Sequence, residues 1–341
     1  MNFKRYWNLF RATNFGLSLS KVAVLNYLKH KFVRRTPILI PSKLAPVFVS
    51  IFVTSRCNLR CPFCIYGKAE NESKHTPWQD YESTVESAAR ILDHEMNRRC
   101  LIVCFQGGEP LLNKTLPDMI RMTRRRGKLC GIITNGLLLQ DHYGELLQSG
   151  LCDTQISVYD HTIDKLSEIL PKINSRKPVN TSYPLTQSVL EHTPEQVEEI
   201  VRMCYQTGCA SLKFNIIVPF PKNKQIDYSE TIYNDNQAYA ELKQKITMRF
   251  PKYPIFWPGG STKMIANASD KKCLNPWQFA SYDAKGNLGL CCAHMPDPTG
   301  QLETCSIRKL GGVIQILCAN YASSYLRIQL IFRYFVKVVH I

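Results

Sequence analysis

Apolar and polar positions alternate along this chain with two periods. Six short runs rich in β-branched and aromatic residues have the length of strands: Val47–Val53, Leu101–Phe105, Leu129–Thr134, Thr154–Tyr159, Val179–Leu185 and Ser211–Val218. Between them, near 82–97, 115–126, 140–149, 162–170 and 194–207, the pattern predicts helices. Gly127, Gly150 and Gly208 stand where three of these helices should stop. Glycine accepts the left-handed conformation that ends a helix. Strands separated by helices predict parallel βαβ units. Six units fit an α/β fold, as a partial barrel or as a doubly wound sheet, and periodicity does not choose between them. In both, ligands bind at the carboxyl ends of the strands.

Outside this core the pattern changes. In residues 15–35, Leu17, Val22, Leu25, Leu28 and Phe32 fall roughly three or four apart, with Lys21, Lys29, Lys31, Arg34 and Arg35 between them. This predicts a basic amphipathic helix, which either packs on its own domain or lies on a membrane surface. Pro37, Pro41 and Pro46 mark a linker into the core. The last 38 residues are apolar and basic, and Arg327, Arg333 and Lys337 interrupt them, so they are not a clean membrane span.

Charge sharpens this division. The net charge is +16, yet no Asp or Glu precedes Glu70 and none follows Glu303. Residues 1–69 carry twelve Lys and Arg, while 70–303 hold 26 basic and 27 acidic residues. A near-neutral core argues against a nucleic-acid surface. The cationic ends suit an anionic membrane or an acidic partner, or are simply solvated.

Fourteen cysteines are many for 341 residues. Lys21 breaks the early apolar stretch and no small-residue cleavage site follows, so no signal peptide is expected. The cysteines are then reduced and cytosolic, some of them metal ligands. Three of them, Cys57, Cys61 and Cys64, lie in eight residues at C-x₃-C-x₂-C spacing. A cluster of four irons normally takes four thiolates. Three would leave one iron open, which points to catalysis. Structural zinc is the competing reading, but it prefers four ligands and no second pair lies nearby.

The run resembles the cluster motif of radical S-adenosylmethionine (SAM) enzymes, C-x₃-C-x-aromatic-C, with Phe63 as the aromatic. The resemblance implies a partial (β/α)₆ TIM-like barrel, with SAM chelating the open iron of a 4Fe–4S cluster. An electron from the cluster would cleave SAM to a 5′-deoxyadenosyl radical that abstracts a substrate hydrogen. Phe63 would pack near the adenine. Gly107-Gly108-Glu109-Pro110, after the second strand, is similar to the family's GGEP motif, which holds the SAM amino group. Its glycines let backbone approach a ligand closely, and Glu109 offers an acceptor to an ammonium. Thr134 and Asn135 match a TNG that lines the SAM pocket, and Ser157 matches a strand-four serine near the ribose. Tyr159 departs from the Asp common in relatives, which leaves a ribose contact from Asp160 open. Lys213 and Asn215 share a face of the sixth strand by alternation.

Cys273-x₁₂-Gly286-x₄-Cys291 resembles the start of a SPASM or twitch extension, implying an auxiliary Fe–S cluster with Cys273 and Cys291 as ligands. Tyr282–Asn287 between them reads as a hairpin with a glycine turn. Later cysteines have the wrong spacing for a full SPASM domain. The expected organisation is an N-terminal helix and linker (1–46), a radical SAM core (47–240), an auxiliary-cluster region (241–297) and a divergent tail (298–341). A peptide or protein substrate and a flavodoxin or ferredoxin reductant are implied by the resemblance. A lipid- or saccharide-linked substrate at a membrane surface and a non-catalytic SAM-binding paralogue are the alternatives.

Overall fold

A computed structural model of the chain describes residues 25, 27, 46–61, 64, 81–216, 228–233, 235–258 and 279–289, and the backbone of strands in 297–318. The chain divides into two compact units, Met1–Cys57, Lys68–Cys130 and Cys273–Ile341 in one, Asn58–Gly67 and Gly131–Lys272 in the other.

In the first unit, β1 (Phe48–Thr54) pairs in parallel with β2 (Ile102–Gly107). On its other side β1 pairs in parallel with β8 (Phe279–Tyr282), which turns back antiparallel into β9 (Asn287–Gly289) and then β10 (Asp297–Gln301). The expected hairpin is therefore built into the sheet beside β1. Gly286 sits at φ 85° in its turn, where a side chain would be strained. Asp283 closes that turn by accepting from the backbone N–H groups of Lys285 and Asn287, both at 2.9 Å. Further along, β11 (Cys305–Leu310) and β12 (Val313–Cys318) form an antiparallel pair within the region expected to diverge.

Helices α1 (Val85–Asp93) and α2 (Leu116–Arg125) belong to this unit. Thr84 caps α1 by accepting from Ser87 N–H, and Ala88, Ile91 and Leu92 bury its apolar face. α1 is shorter than its pattern because residues 81–83 run beside the end of β1 instead, with Ser83 N–H on Val53 O at 2.8 Å. Buried Asn113 ties these pieces together. Its amide donates to Val53 O at 3.0 Å and Ser83 O at 2.9 Å, and its oxygen accepts from Thr115 N–H and Oγ1. Lys128 is also buried, its Nζ donating to the carbonyls of Asn97, Arg98 and Cys100. Three acceptors offset the cost of taking an ammonium out of water.

The second unit holds four of the expected βα steps. From Gly131 onward β3 (Leu129–Thr134) pairs in parallel with β4 (Asp153–Ser157), followed by β5 (Asn180–Leu185), β6 (Ser211–Ile216) and a two-residue β7 (Ile255–Phe256). Helices α3 (Leu139–Gln148), α4 (Ile163–Asn174) and α6 (Pro194–Gln206) fall where periodicity places them. α4 runs past its expected end because Pro171 is accommodated inside it. Two helices escape the sequence pattern, the short α5 (Gln187–His192) and α7 (Gln237–Arg249). α7 buries little but Tyr239, Leu242 and Ile246. It is drawn to α6 by Glu198, a largely buried carboxylate paired with Arg202, Lys245 and Arg249.

Within the expected N-terminal helix, Leu25 and Tyr27 are described, and both are helical. Tyr27 is buried and Leu25 is 56% exposed, so Leu25 is not on the packed face that its periodicity suggests.

Replacing Asn113 by Leu should lower stability by about 3 kcal/mol, since Ser83 O loses its side-chain donor and Thr115 N–H its acceptor. Urea unfolding of the apo-protein measures this, with a lower midpoint at unchanged slope expected.

Candidate active site

The carboxyl ends of β1 and β2 meet without side chains between them. Gly107 adopts φ 135°, and a Cβ there would lie 2.6 Å from Thr54 O. At Gly108 a Cβ would run into the Arg56 carbonyl. The space is filled by hydrogen bonds: Gly108 N–H donates to Thr54 O and Glu109 N–H to Arg56 O, both at 2.7 Å. The close approach these glycines permit is thus to the stem of the cysteine loop, where the motif resemblance implies a ligand. Glu109 is fully buried, and its Oε1 accepts from Leu111 N–H at 3.1 Å, capping a 3₁₀ turn at Pro110–Leu112.

Arg56 and Glu82 brace the same stem. The Arg56 guanidinium donates to Glu82 through Nε (3.2 Å) and Nη2 (3.0 Å), and Nη2 also reaches Leu112 O at 2.9 Å. Thr54 Oγ1 donates to Glu82 Oε2 at 2.7 Å. Such an exposed pair contributes little alone. Bidentate geometry with a shared hydroxyl instead fixes direction. Sequence reading missed both residues, because 26 positions separate them and no local pattern marks the pairing.

Past Cys57 the loop runs through the second unit. Cys64 N–H donates to Cys61 O at 3.1 Å. Asn58 Oδ1 accepts from Asn135 Nδ2 at 2.7 Å, while Asn135 Oδ1 accepts from Leu137 N–H. Thr134 Oγ1 accepts from Gly136 N–H at 3.0 Å, so the Thr-Asn-Gly segment forms a turn after β3 with Gly136 at φ 80°. Ser157, half-buried at the end of β4, is level with Ser182 on β5, which is level with Lys213 on β6. Lys213 and Asn215 are exposed, while Leu212 and Phe214 before and between them are fully buried. Alternation therefore sets the two polar residues on one face, as expected.

Asp160 is exposed, and its carboxylate accepts from the buried Tyr183 hydroxyl at 2.7 Å. Burial, then that hydrogen bond, pushes the Tyr183 phenol well up, so it stays protonated. Tyr159 stacks on His161 with ring centroids 5.7 Å apart. Phe63, Cys273 and Cys291 lie outside the described residues.

The profile of the Radical SAM superfamily matches residues 51–232, more than half of the chain, and the chain belongs to that superfamily. It is 27% identical over 281 residues to the PqqA peptide cyclase of Granulibacter bethesdensis, covering 75% of this chain and 70% of the cyclase. With the PqqA peptide cyclase of Bradyrhizobium diazoefficiens the identity is 31% over 272 residues, 73% of this chain and 67% of the cyclase. Among solved structures, Streptococcus suis SuiB bound to S-adenosylmethionine matches with a TM-score of 0.57 at 15% identity, over 78% of this chain and 64% of SuiB. That likeness shows the fold, the partial TIM-like barrel of the superfamily. The chain is a radical SAM enzyme, of a family that works with a 4Fe–4S cluster and SAM.

The donor chemistry is that of such a cluster, three thiols outside any disulfide. Cys57 and Cys61 are half-exposed and Cys64 exposed, whereas Cys100, Cys104, Cys130, Cys152, Cys204 and Cys209 are buried. Cysteine left to packing alone is usually buried, and burial pushes the Cys100 thiol up, away from the thiolate a metal needs. Among the described residues no three His, Cys, Asp or Glu side chains are gathered closely enough to hold a metal ion.

Gly108→Ala should displace the stem of the cysteine loop, with overpacking of about 1–3 kcal/mol. The midpoint of thermal unfolding of the apo-protein should fall, and iron bound after reconstitution should fall with it. Wild-type values for both would remove this glycine from the architecture of the loop.

Proposed function

We propose that this radical SAM enzyme modifies a peptide or protein. The supporting observation is the similarity to two PqqA peptide cyclases over 272 residues or more, a span that runs beyond the superfamily match. In this reading Cys57, Cys61 and Cys64 hold the catalytic cluster. When bound, the cluster supplies the electron that cleaves SAM reductively to a 5′-deoxyadenosyl radical. Phe63 packs beside the adenine, Gly107, Gly108 and Glu109 form the turn that receives the methionyl amine, and Thr134, Asn135 and Ser157 border the cofactor. Cys273 and Cys291 hold an auxiliary cluster in a SPASM- or twitch-like extension. The reductant is a flavodoxin or ferredoxin of the cytoplasm, and the cationic N-terminal segment contacts an anionic surface.

The test is iron and sulfide content after anaerobic reconstitution of the full chain, for wild type and for the triple variant Cys57→Ala/Cys61→Ala/Cys64→Ala. Wild type should bind about eight irons and the triple variant about four, the remainder being lost on adding Cys273→Ala and Cys291→Ala. Wild type should also form 5′-deoxyadenosine from SAM under reductant, and the triple variant none. Equal iron in wild type and triple variant would sink the ligand assignment. A triple variant without iron would sink the auxiliary cluster and weaken the peptide reading with it. No helix among the described residues is long and apolar enough to cross a membrane. Surface contact is tested separately, by co-sedimentation with anionic vesicles that should be lost when residues 1–35 are deleted.

A further inference from the structure

One amide-to-amide hydrogen bond, Asn135 Nδ2 to Asn58 Oδ1 at 2.7 Å, reaches from the turn after β3 to the cysteine loop. Its direction is fixed by a third group. Leu137 N–H donates to Asn135 Oδ1 at 3.1 Å, which turns the oxygen end of that amide to the backbone and its nitrogen end to Asn58. Asn58 must therefore accept. The two partners are unequal in rigidity. Asn135 is 5% exposed, in a turn held by Gly136 at φ 80° and by the Gly136 N–H bond to Thr134 Oγ1. Asn58 is exposed, and it follows Cys57 directly.

We propose that Asn135 is a positioning residue for the cysteine loop. It holds Asn58, and so acts on the cluster through the loop, in place of the direct cofactor contact that the Thr-Asn-Gly resemblance implies. The inference rests on Cys57, Cys61 and Cys64 being cluster ligands. Its chemistry follows from the direction of the bond. Asn58→Asp keeps an acceptor for Asn135, whereas Asn135→Asp keeps the acceptor for Leu137 and loses the donor to Asn58. The same conservative change should thus be tolerated on one side of the bond and not on the other.

Four variants of the full chain test this: Asn58→Ala, Asn58→Asp, Asn135→Asp, and Asn58→Ala combined with Asn135→Asp. Each is reconstituted anaerobically, and iron release to a chelator is timed. The KM for SAM is measured in parallel. In the apo-protein, tryptic cleavage after Arg60, which lies in the loop, is followed as a readout that needs no cluster. Asn58→Ala and Asn135→Asp should each speed iron release and Arg60 cleavage about fivefold, the change expected from losing one hydrogen bond. The double variant should be no faster than either single one, and Asn58→Asp should keep the wild-type rates. The KM for SAM should stay within about twofold in Asn58→Ala and Asn58→Asp, since neither changes a group at the cofactor.

Wild-type release and cleavage in both single variants would overturn the proposal. So would a rise of about tenfold or more in the KM for SAM in Asn135→Asp with Asn58→Ala unaffected, because Asn135 would then be a cofactor contact. Should Asn135→Asp fail to fold, Asn58→Ala at an exposed position carries the test alone. If the wild type takes up no iron, the ligand assignment fails, and the tryptic arm still decides whether Asn135 holds the loop.

Discussion

The contact on which the site depends is between backbones. Gly107 and Gly108 bring the end of β2 against Thr54 and Arg56 so closely that a Cβ would displace them. Two short amide–carbonyl bonds occupy the interval. A side chain here would remove more than its own volume, because the same few residues also set the direction in which the chain leaves β1 toward Cys57. Arg56 then needs only a modest brace from Glu82 and Leu112 O to keep that direction. Exposed ion pairs are weak sources of stability, but here the backbone bonds supply the stability and the ion pair supplies orientation.

Much of this was legible in the sequence, and for a physical reason. The strands β1 to β6 are short apolar runs bounded by glycines and polar turns, so composition alone places them within a residue or two. The hairpin of β8 and β9 was legible because Asp283 and Gly286 carry turn chemistry. The family was legible from the spacing of Cys57, Cys61 and Cys64. The illegible parts depend on distant partners. Glu82, Asn113 and Lys128 look like ordinary polar residues until the fold brings Arg56, Val53 O and the carbonyls of residues 97–100 to them. Helix α7 was missed because few apolar positions mark its buried face, and the Glu198 ion pairs that draw it to α6 leave no periodic trace.

The polar row on the second unit's sheet is a different kind of feature. Ser157, Ser182 and Lys213 are level with one another across three parallel strands, while Phe214 on the reverse face stacks on Trp257 with centroids 4.4 Å apart. The two faces therefore have separate tasks. One carries the packing that keeps the strands in register, and the other is left polar at the ends where ligands of such sheets bind. A one-residue slip would exchange them.

Asn135 precedes Gly136, and such a pair is the dipeptide most prone to lose ammonia, by attack of the glycine nitrogen on the side-chain carbonyl. In the folded chain both reacting groups are engaged elsewhere: Gly136 N–H donates to Thr134 Oγ1, and the Asn135 oxygen receives Leu137 N–H. Folding thus acts as a chemical preservative for this turn. A chain that ages while unfolded would gain an aspartate or an isoaspartate at 135 as water opens the cyclic imide, and no later folding step would restore the lost amide nitrogen. Handling history would then be written into a single residue at the edge of the cysteine loop.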